Sequence, residues 1–107
     1  MVAHPVLEVA ILNIRRGEAA AFQRAFSEAQ SIIAAMPGYG RHELRHCVEN
    51  DHRFLLLVWW DSVESHAVGF RGSAAYQQWK QLLHHFYDPF PGVEHYVPCE
   101  QPDAAAH

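Results

Sequence analysis

Basic residues are scarce in this chain, and cysteine is scarcer still. Eight Lys and Arg stand against twelve Asp and Glu among 107 residues, for a formal net charge of −4. A protein that binds nucleic acid needs a basic patch to displace counterions, so this balance argues against DNA or RNA as a partner. Cys47 and Cys99 are too few for a disulfide framework and lack the CxxC spacing of a zinc site. Free thiols are typical of a reducing compartment, and we predict a cytoplasmic protein.

Long apolar runs and internal repeats are also missing. No run approaches the roughly 20 residues of a membrane helix, and the opening "MVAHPVLEVA" has no basic segment followed by a cleavage site. We therefore expect no membrane partner. The length leaves room for one domain, which we assign to residues 1–100, with residues 101–107 as a flexible C-terminal tail.

Hydrophobic periodicity divides the chain into six main elements. Strands are expected at 6–14, 39–49, 52–60 and 93–100, and helices at 18–36 and 73–86. Asp61, with Glu64 three residues later, predicts a capping box for a second helical region that is interrupted near Gly69 and Gly72 before the last helix. The order is the βαββαβ of ferredoxin-like α+β domains, in which both helices cover one face of a four-stranded antiparallel sheet.

The third strand, "FLLLVWW", is apolar on both of its sides. One side can pack against the helices, but the other would leave Leu and Trp side chains in water, each forgoing about 1.5–3 kcal/mol. A second copy packed sheet against sheet removes that patch, so we predict a homodimer. Trp59 and Trp60 point to opposite faces of the strand. The sequence pattern does not fix the strand register, so it does not show which of the two packs against the helices.

Histidine is abundant, with nine in the chain. His66, His84 and His85 are the candidate catalytic residues, because imidazole has an ordinary pKa near neutrality and suits a general base. A structural role stays open for each: an exposed helical residue for His66, and boundary or interface residues for the adjacent pair. Two consecutive histidines on a helix are poor ligands of one metal ion, and we expect no metal site. His95 is a lesser candidate, which a carboxylate of a second copy could orient.

Four segments carry a family resemblance: "RRGEAAAFQRAF", "MPGYGRHELRH", "RFLLLVWWDSVESH" and "FRGSAAYQQW". In this order, over about residues 6–99, the chain resembles the antibiotic biosynthesis monooxygenase domains of the dimeric α/β-barrel superfamily. The resemblance implies oxygenation without metal, flavin or other cofactor. An electron-rich phenol, quinol or anthrone, once deprotonated, reacts directly with O₂ in a dry aromatic pocket.

The resemblance implies a small aromatic, quinol or polyketide-like substrate and O₂ as partners. The residues expected to contact the substrate are Trp59, Trp60, Phe70, Arg71, Tyr76 and Tyr87, with Arg71 able to hold a phenolate. Two alternatives remain: a non-catalytic dimeric module that binds a small ligand, and an isomerase or cyclase that needs the same base but no oxygen. Haem degradation is disfavoured, because the asparagine, tryptophan and histidine of haem-degrading relatives fall near Ala10, on Gly69 and on Trp79.

Overall fold

The computed structural model describes residues 3–100, so the predicted tail at 101–107 lies outside the described residues. The elements along the chain are β1 (Val6–Asn13), α1 (Ala19–Ala34), β2 (Tyr39–His46), β3 (Arg53–Trp60), a π-helix (Ser65–Phe70), α2 (Ala74–Leu83), a 3₁₀ turn (His84–Phe86) and β4 (Val93–Tyr96). The strands form one antiparallel sheet in the order β2-β3-β1-β4. Both α-helices lie on the same face of it. The predicted ferredoxin-like α+β fold is confirmed.

Helix α1 buries the apolar stripe that its sequence predicts. Phe22, Phe26, Ala29 and Ile33 recur at three- and four-residue steps, and all are buried against the sheet and α2. The chain leaves the helix through Gly38, whose φ of +86° lies in the left-handed region. A Cβ there would also clash with the side chains of Ser65 and Asp61, so glycine is required on both grounds.

The two central strands alternate strictly between the faces of the sheet. On β1, Val6, Glu8, Ala10 and Leu12 are buried beneath the helices. On β3 the same face carries Phe54, Leu56, Val58 and Trp60. The register therefore fixes the face on which each tryptophan lies: Trp60 is in the core and Trp59 is on the opposite face. The one polar side chain on the buried face of these two strands is that of Glu8.

The opposite side of the sheet, which we call the open sheet face, is apolar along its two central strands. It carries Leu7, Val9, Ile11, Leu55, Leu57 and Trp59. No helix of residues 3–100 packs on it, and Ile11 is 53% exposed. The Arg41 guanidinium lies 3.6 Å from the centre of the Trp59 ring and covers part of it. The prediction that the third strand is apolar on both sides is thus met.

The second helical region is a π-helix, which the sequence did not predict. The Arg71 N–H donates to the His66 carbonyl, the i→i+5 bond of a π turn, at 3.1 Å. The predicted Asp61–Glu64 capping box is wrong, because the hydroxyl of Ser62 caps this region by accepting from the Ser65 N–H at 3.2 Å. The widened turn buries both His66 and Phe70 on the side that faces the sheet.

Candidate active site

A cleft opens between the helical layer and the sheet, beside β4. Its volume is about 460 Å³, counted with the mouth that is open to solvent. Ala10, Leu12 and Leu56 of the sheet form its floor, and the π-helix, α2 and the segment after the 3₁₀ turn form its sides. Clefts with apolar walls and a few polar groups are typical small-molecule sites.

The carboxyl group of Glu8 lies at the inner end of this cleft. It is 5% exposed, and its Oε1 accepts a hydrogen bond from the indole N–H of Trp60 at 2.9 Å. The same oxygen lies 3.3 Å from Nε2 of His66. Burial raises the pKa of Glu8 to about 7, although the Trp60 hydrogen bond and the positive charge of Arg71 act in the opposite direction. Near neutral pH this carboxyl group can therefore both accept and release a proton.

His66 is the buried neighbour of that carboxyl group. Its ring stacks on Trp60 with centroids 5.5 Å apart, and only 3% of the residue is exposed. Burial first, and then the charges of Arg71 and His95, lower the pKa of His66 to about 3. His66 is thus neutral at pH 7. Its second nitrogen, Nδ1, lies 2.9 Å from Nε2 of His95 on β4.

Aromatic rings line the outer part of the cleft. His84 contacts Tyr76, Tyr87 and Phe90, with ring centroids 5.7, 5.6 and 4.9 Å away. Burial lowers the pKa of His84, helped by Lys80 and Arg71 nearby. Burial also raises the pKa of Tyr87, so its hydroxyl stays protonated and can donate a hydrogen bond. These rings, which meet largely edge to face, form a largely uncharged aromatic wall.

Comparison with known proteins places this chain in a family. The sequence profile of the antibiotic biosynthesis monooxygenases matches residues 5–82. The chain belongs to the antibiotic biosynthesis monooxygenase family. It is 52% identical over 91 residues to the uncharacterised protein YczJ of Bacillus subtilis (strain 168), a match that covers 85% of this chain and 96% of YczJ.

Two solved structures of similar fold extend the comparison. A Bordetella bronchiseptica protein assigned to the antibiotic biosynthesis monooxygenases aligns with a TM-score of 0.86 at 26% identity, over 92% of this chain and 100% of its own. SnoaB, a cofactor-independent oxygenase from Streptomyces nogalater, aligns with a TM-score of 0.71 at 17% identity, over 96% and 99%. At that identity, the likeness to SnoaB shows the fold alone.

Six of the nine residues that the sequence proposed for the site line the cleft of this protein: His66, Phe70, Arg71, Tyr76, His84 and Tyr87. The other three lie elsewhere. Trp60 is beneath the cleft and holds Glu8, whereas Trp59 is on the open sheet face. The His85 ring is exposed and packs beside Phe86, and its carbonyl accepts a hydrogen bond from Arg15 Nε at 2.9 Å.

Glu8 was missed by the sequence reasoning, although the sequence carried a signal for it. Glu8 shares its strand face with Val6, Ala10 and Leu12, so a glutamate stands in an otherwise apolar row. A carboxyl group is seldom buried without a reason, and a buried one with a raised pKa is a common mark of a functional site.

The raised pKa of Glu8 predicts how stability responds to pH. The folded state favours the protonated carboxyl group, so this contribution is complete below the ordinary pKa of 4.5 and is lost as the pH rises through about 7. The loss amounts to about 3 kcal/mol. The glutamine of Glu8→Gln cannot titrate. As the pH rises from 4.5 to 7.5, the free energy of unfolding of this variant should therefore increase by about 3 kcal/mol relative to that of the unaltered protein.

Urea unfolding of both proteins across that pH range measures the difference. His66 titrates in the opposite direction but is present in both proteins, so to a first approximation its contribution cancels. Glu94→Gln, which removes a carboxylate on the exposed side of β4, is the matched control. A difference between Glu8→Gln and the unaltered protein that stays constant with pH would contradict the raised pKa.

Within the described chain, no helix is long and apolar enough to cross a membrane. Residues 3–100 also bring together no group of three His, Cys, Asp or Glu side chains arranged to hold a metal ion.

Proposed function

We propose that this protein is a cofactor-independent monooxygenase that acts on a small aromatic, quinol or polyketide-like molecule with O₂ as its second substrate. The observation that carries the proposal is the buried carboxyl group of Glu8, with a pKa of about 7, at the inner end of a cleft with aromatic walls. Membership of the antibiotic biosynthesis monooxygenase family supports the reaction class.

The chemistry follows from the properties of the substrate and of this cleft. Glu8 as carboxylate accepts a proton from the substrate, and the resulting electron-rich anion can transfer an electron to O₂. For an anthrone-like CH₂ group the sum is CH₂ + O₂ → C=O + H₂O, in which carbon is oxidised and O₂ is reduced. Arg71 at the exposed rim offers a positive charge to the substrate anion, and the Tyr87 hydroxyl offers a hydrogen bond.

We also infer that the working form is a homodimer, joined through the open sheet face. The six apolar side chains of that face lie on adjacent strands and form one patch, which a second copy with the same patch would cover. Arg41 and Arg45 each pair with Glu43 at the side of the patch, which limits the number of unpaired charges near such an interface. A cytoplasmic location remains a prediction.

Oxygen uptake tests the proposed reaction. The protein is mixed with a panel of quinols and anthrones, with and without a metal chelator, and oxygen consumption is followed with an electrode. We expect consumption that the chelator leaves unchanged. Product formation under nitrogen would instead support an isomerase or cyclase that uses the same base. Saturable ligand binding without turnover of any panel member would support a binding module.

The adjacent histidines provide a matched test of the cleft. His84→Ala removes a ring that contacts three aromatic side chains of the cleft, so we expect kcat/KM to fall about 10- to 100-fold. His85→Ala removes an exposed ring outside the cleft and should leave kcat/KM within about twofold of the original value. Steady-state oxygen uptake measures both. Equal losses in the two variants, or a larger loss in His85→Ala, would contradict the assignment of the cleft.

A further inference from the structure

Glu8, His66 and His95 form a row of polar groups that leads away from the cleft, with a hydrogen bond between the two histidines and a polar contact between Glu8 and His66. Glu8 Oε1 is 3.3 Å from His66 Nε2, and His66 Nδ1 is 2.9 Å from His95 Nε2. Glu8 and His95 are cross-strand neighbours on β1 and β4, so both point to the helix side of the sheet. His66 bridges them from the π-helix. The row begins at a buried carboxyl group and ends at a partly exposed imidazole.

We propose that His66 and His95 are a proton relay that connects Glu8 with solvent while the cleft is occupied. This inference rests on the proposed function only in giving Glu8 the role of a base. His66 touches the reacting carboxyl group directly. His95 acts through His66 and is therefore a positioning residue.

The need for a relay follows from the burial of Glu8. A carboxyl group that has accepted a proton from a substrate must release it before it can act as base again. Glu8 is 5% exposed, and a substrate or product that fills the cleft would cover its remaining access to water on that side. His66 lines the cleft, but His95 does not and is partly exposed. The outer end of the row can therefore remain in contact with water when the cleft is filled.

The geometry permits a complete transfer in which protons balance. The protonated Glu8 carboxyl group gives its proton to His66 Nε2, His66 Nδ1 gives its proton to His95 Nε2, and His95 Nδ1 gives its proton to water. One proton leaves the carboxyl group and one reaches solvent, and both rings end neutral in the other tautomer. Both rings must return to the first tautomer before the row can carry the next proton. The 2.9 Å distance between His66 Nδ1 and His95 Nε2 requires that one of these nitrogens donates and the other accepts, which is the condition for such a transfer. Glu8 Oε1 and His66 Nε2 are in contact at 3.3 Å without forming an aligned hydrogen bond, and such contacts between catalytic groups commonly tighten when a substrate binds.

Neighbouring charges favour transfer through neutral rings. Arg71 at the end of the π-helix lies close enough to lower the pKa of His66 and of His95, after the larger effect of burial. Both rings therefore favour the neutral form, with one N–H each, near neutral pH. The other titratable group near Glu8 is Tyr87, whose raised pKa keeps it neutral. Glu8 is accordingly the group of this row that titrates near pH 7.

The kinetic test compares His95→Ala, His95→Gln and the control His52→Gln, whose histidine lies by the β2–β3 turn. In weak buffer, kcat of both His95 variants should fall about tenfold or more with KM nearly unchanged, and His52→Gln should match the unaltered protein. Added imidazole should restore kcat in His95→Ala and leave the rate of Glu8→Gln low. A loss of kcat that imidazole does not restore would assign His95 a structural role only and overturn the relay.

A second measurement needs no turnover and therefore separates the relay from the proposed reaction. ¹⁵N NMR of the imidazole rings in the free protein reports the tautomers of His66 and His95. We expect both to change together as Glu8 titrates near pH 7, and to stay constant over that range in Glu8→Gln. Ring signals that do not respond to pH in the unaltered protein would overturn the relay even where oxygen is consumed. A joint change in the two tautomers without oxygen uptake would support the relay and contradict the proposed monooxygenase reaction.

Discussion

We expect Glu8→Gln to lower kcat by about 10²- to 10⁴-fold, the usual contribution of a positioned general base. Glutamine keeps the size of glutamate and can still accept the hydrogen bond from the Trp60 indole N–H, so the core beneath the cleft stays packed. Only the ability to take up a proton is lost. Oxygen uptake at saturating substrate measures the effect, and thermal unfolding shows that the variant is folded.

Glu94→Gln is the matched control for this loss. Glu94 is exposed on the other side of β4, where its carboxylate accepts a hydrogen bond from the Tyr96 hydroxyl. Its removal should leave kcat unchanged. If Glu8→Gln retains more than about a tenth of the original kcat, another group accepts the proton. His66→Gln would then be the next variant to measure.

Leu57→Lys separates the proposed dimer into monomers. Leu57 is central on the open sheet face, paired with Val9 on β1 and with Glu43 on β2. In a monomer, the lysine ammonium group reaches water or Glu43 at little cost. In a face-to-face dimer it would be buried without an adequate partner, which costs about 3–5 kcal/mol and raises the dissociation constant by roughly 10²- to 10⁴-fold.

Sedimentation velocity over a range of micromolar concentrations measures this shift. Val48→Lys is the control, because Val48 is 91% exposed and lies beyond the end of β2, away from the open sheet face. It should leave the sedimentation coefficient unchanged. An unaltered protein that sediments as a monomer throughout this range would show that the open sheet face has another role.

The two variants also distinguish the roles of the two sheet faces. Glu8→Gln is expected to alter turnover while the assembly remains intact, because Glu8 is on the helix side. Leu57→Lys changes the opposite face, and any loss of turnover there would show that the cleft depends on the second copy. The alternation of side chains along β1 and β3 makes this separation possible.

Local pattern was sufficient to predict the fold. The stripe of Phe22, Phe26, Ala29 and Ile33 can only be buried by a helix, and the apolar third strand requires cover on both faces. These signals depend on neighbours within a few residues along the chain. The choice of Phe70, Arg71 and Tyr76 came instead from the family resemblance, and that of His66 from the chemistry of imidazole; all four line the cleft.

The tertiary structure alone decided which of these groups meet. Strand register placed Trp60 beneath Glu8 and turned Trp59 away, and a shift of one residue would have exchanged them. The β1–β4 pairing set His95 opposite Glu8, although 87 positions separate them in the sequence. The π turn then brought His66 between them. Sequence determined the elements because their periodicity is local, whereas the raised pKa of Glu8 arises from burial by segments that are far apart in the chain.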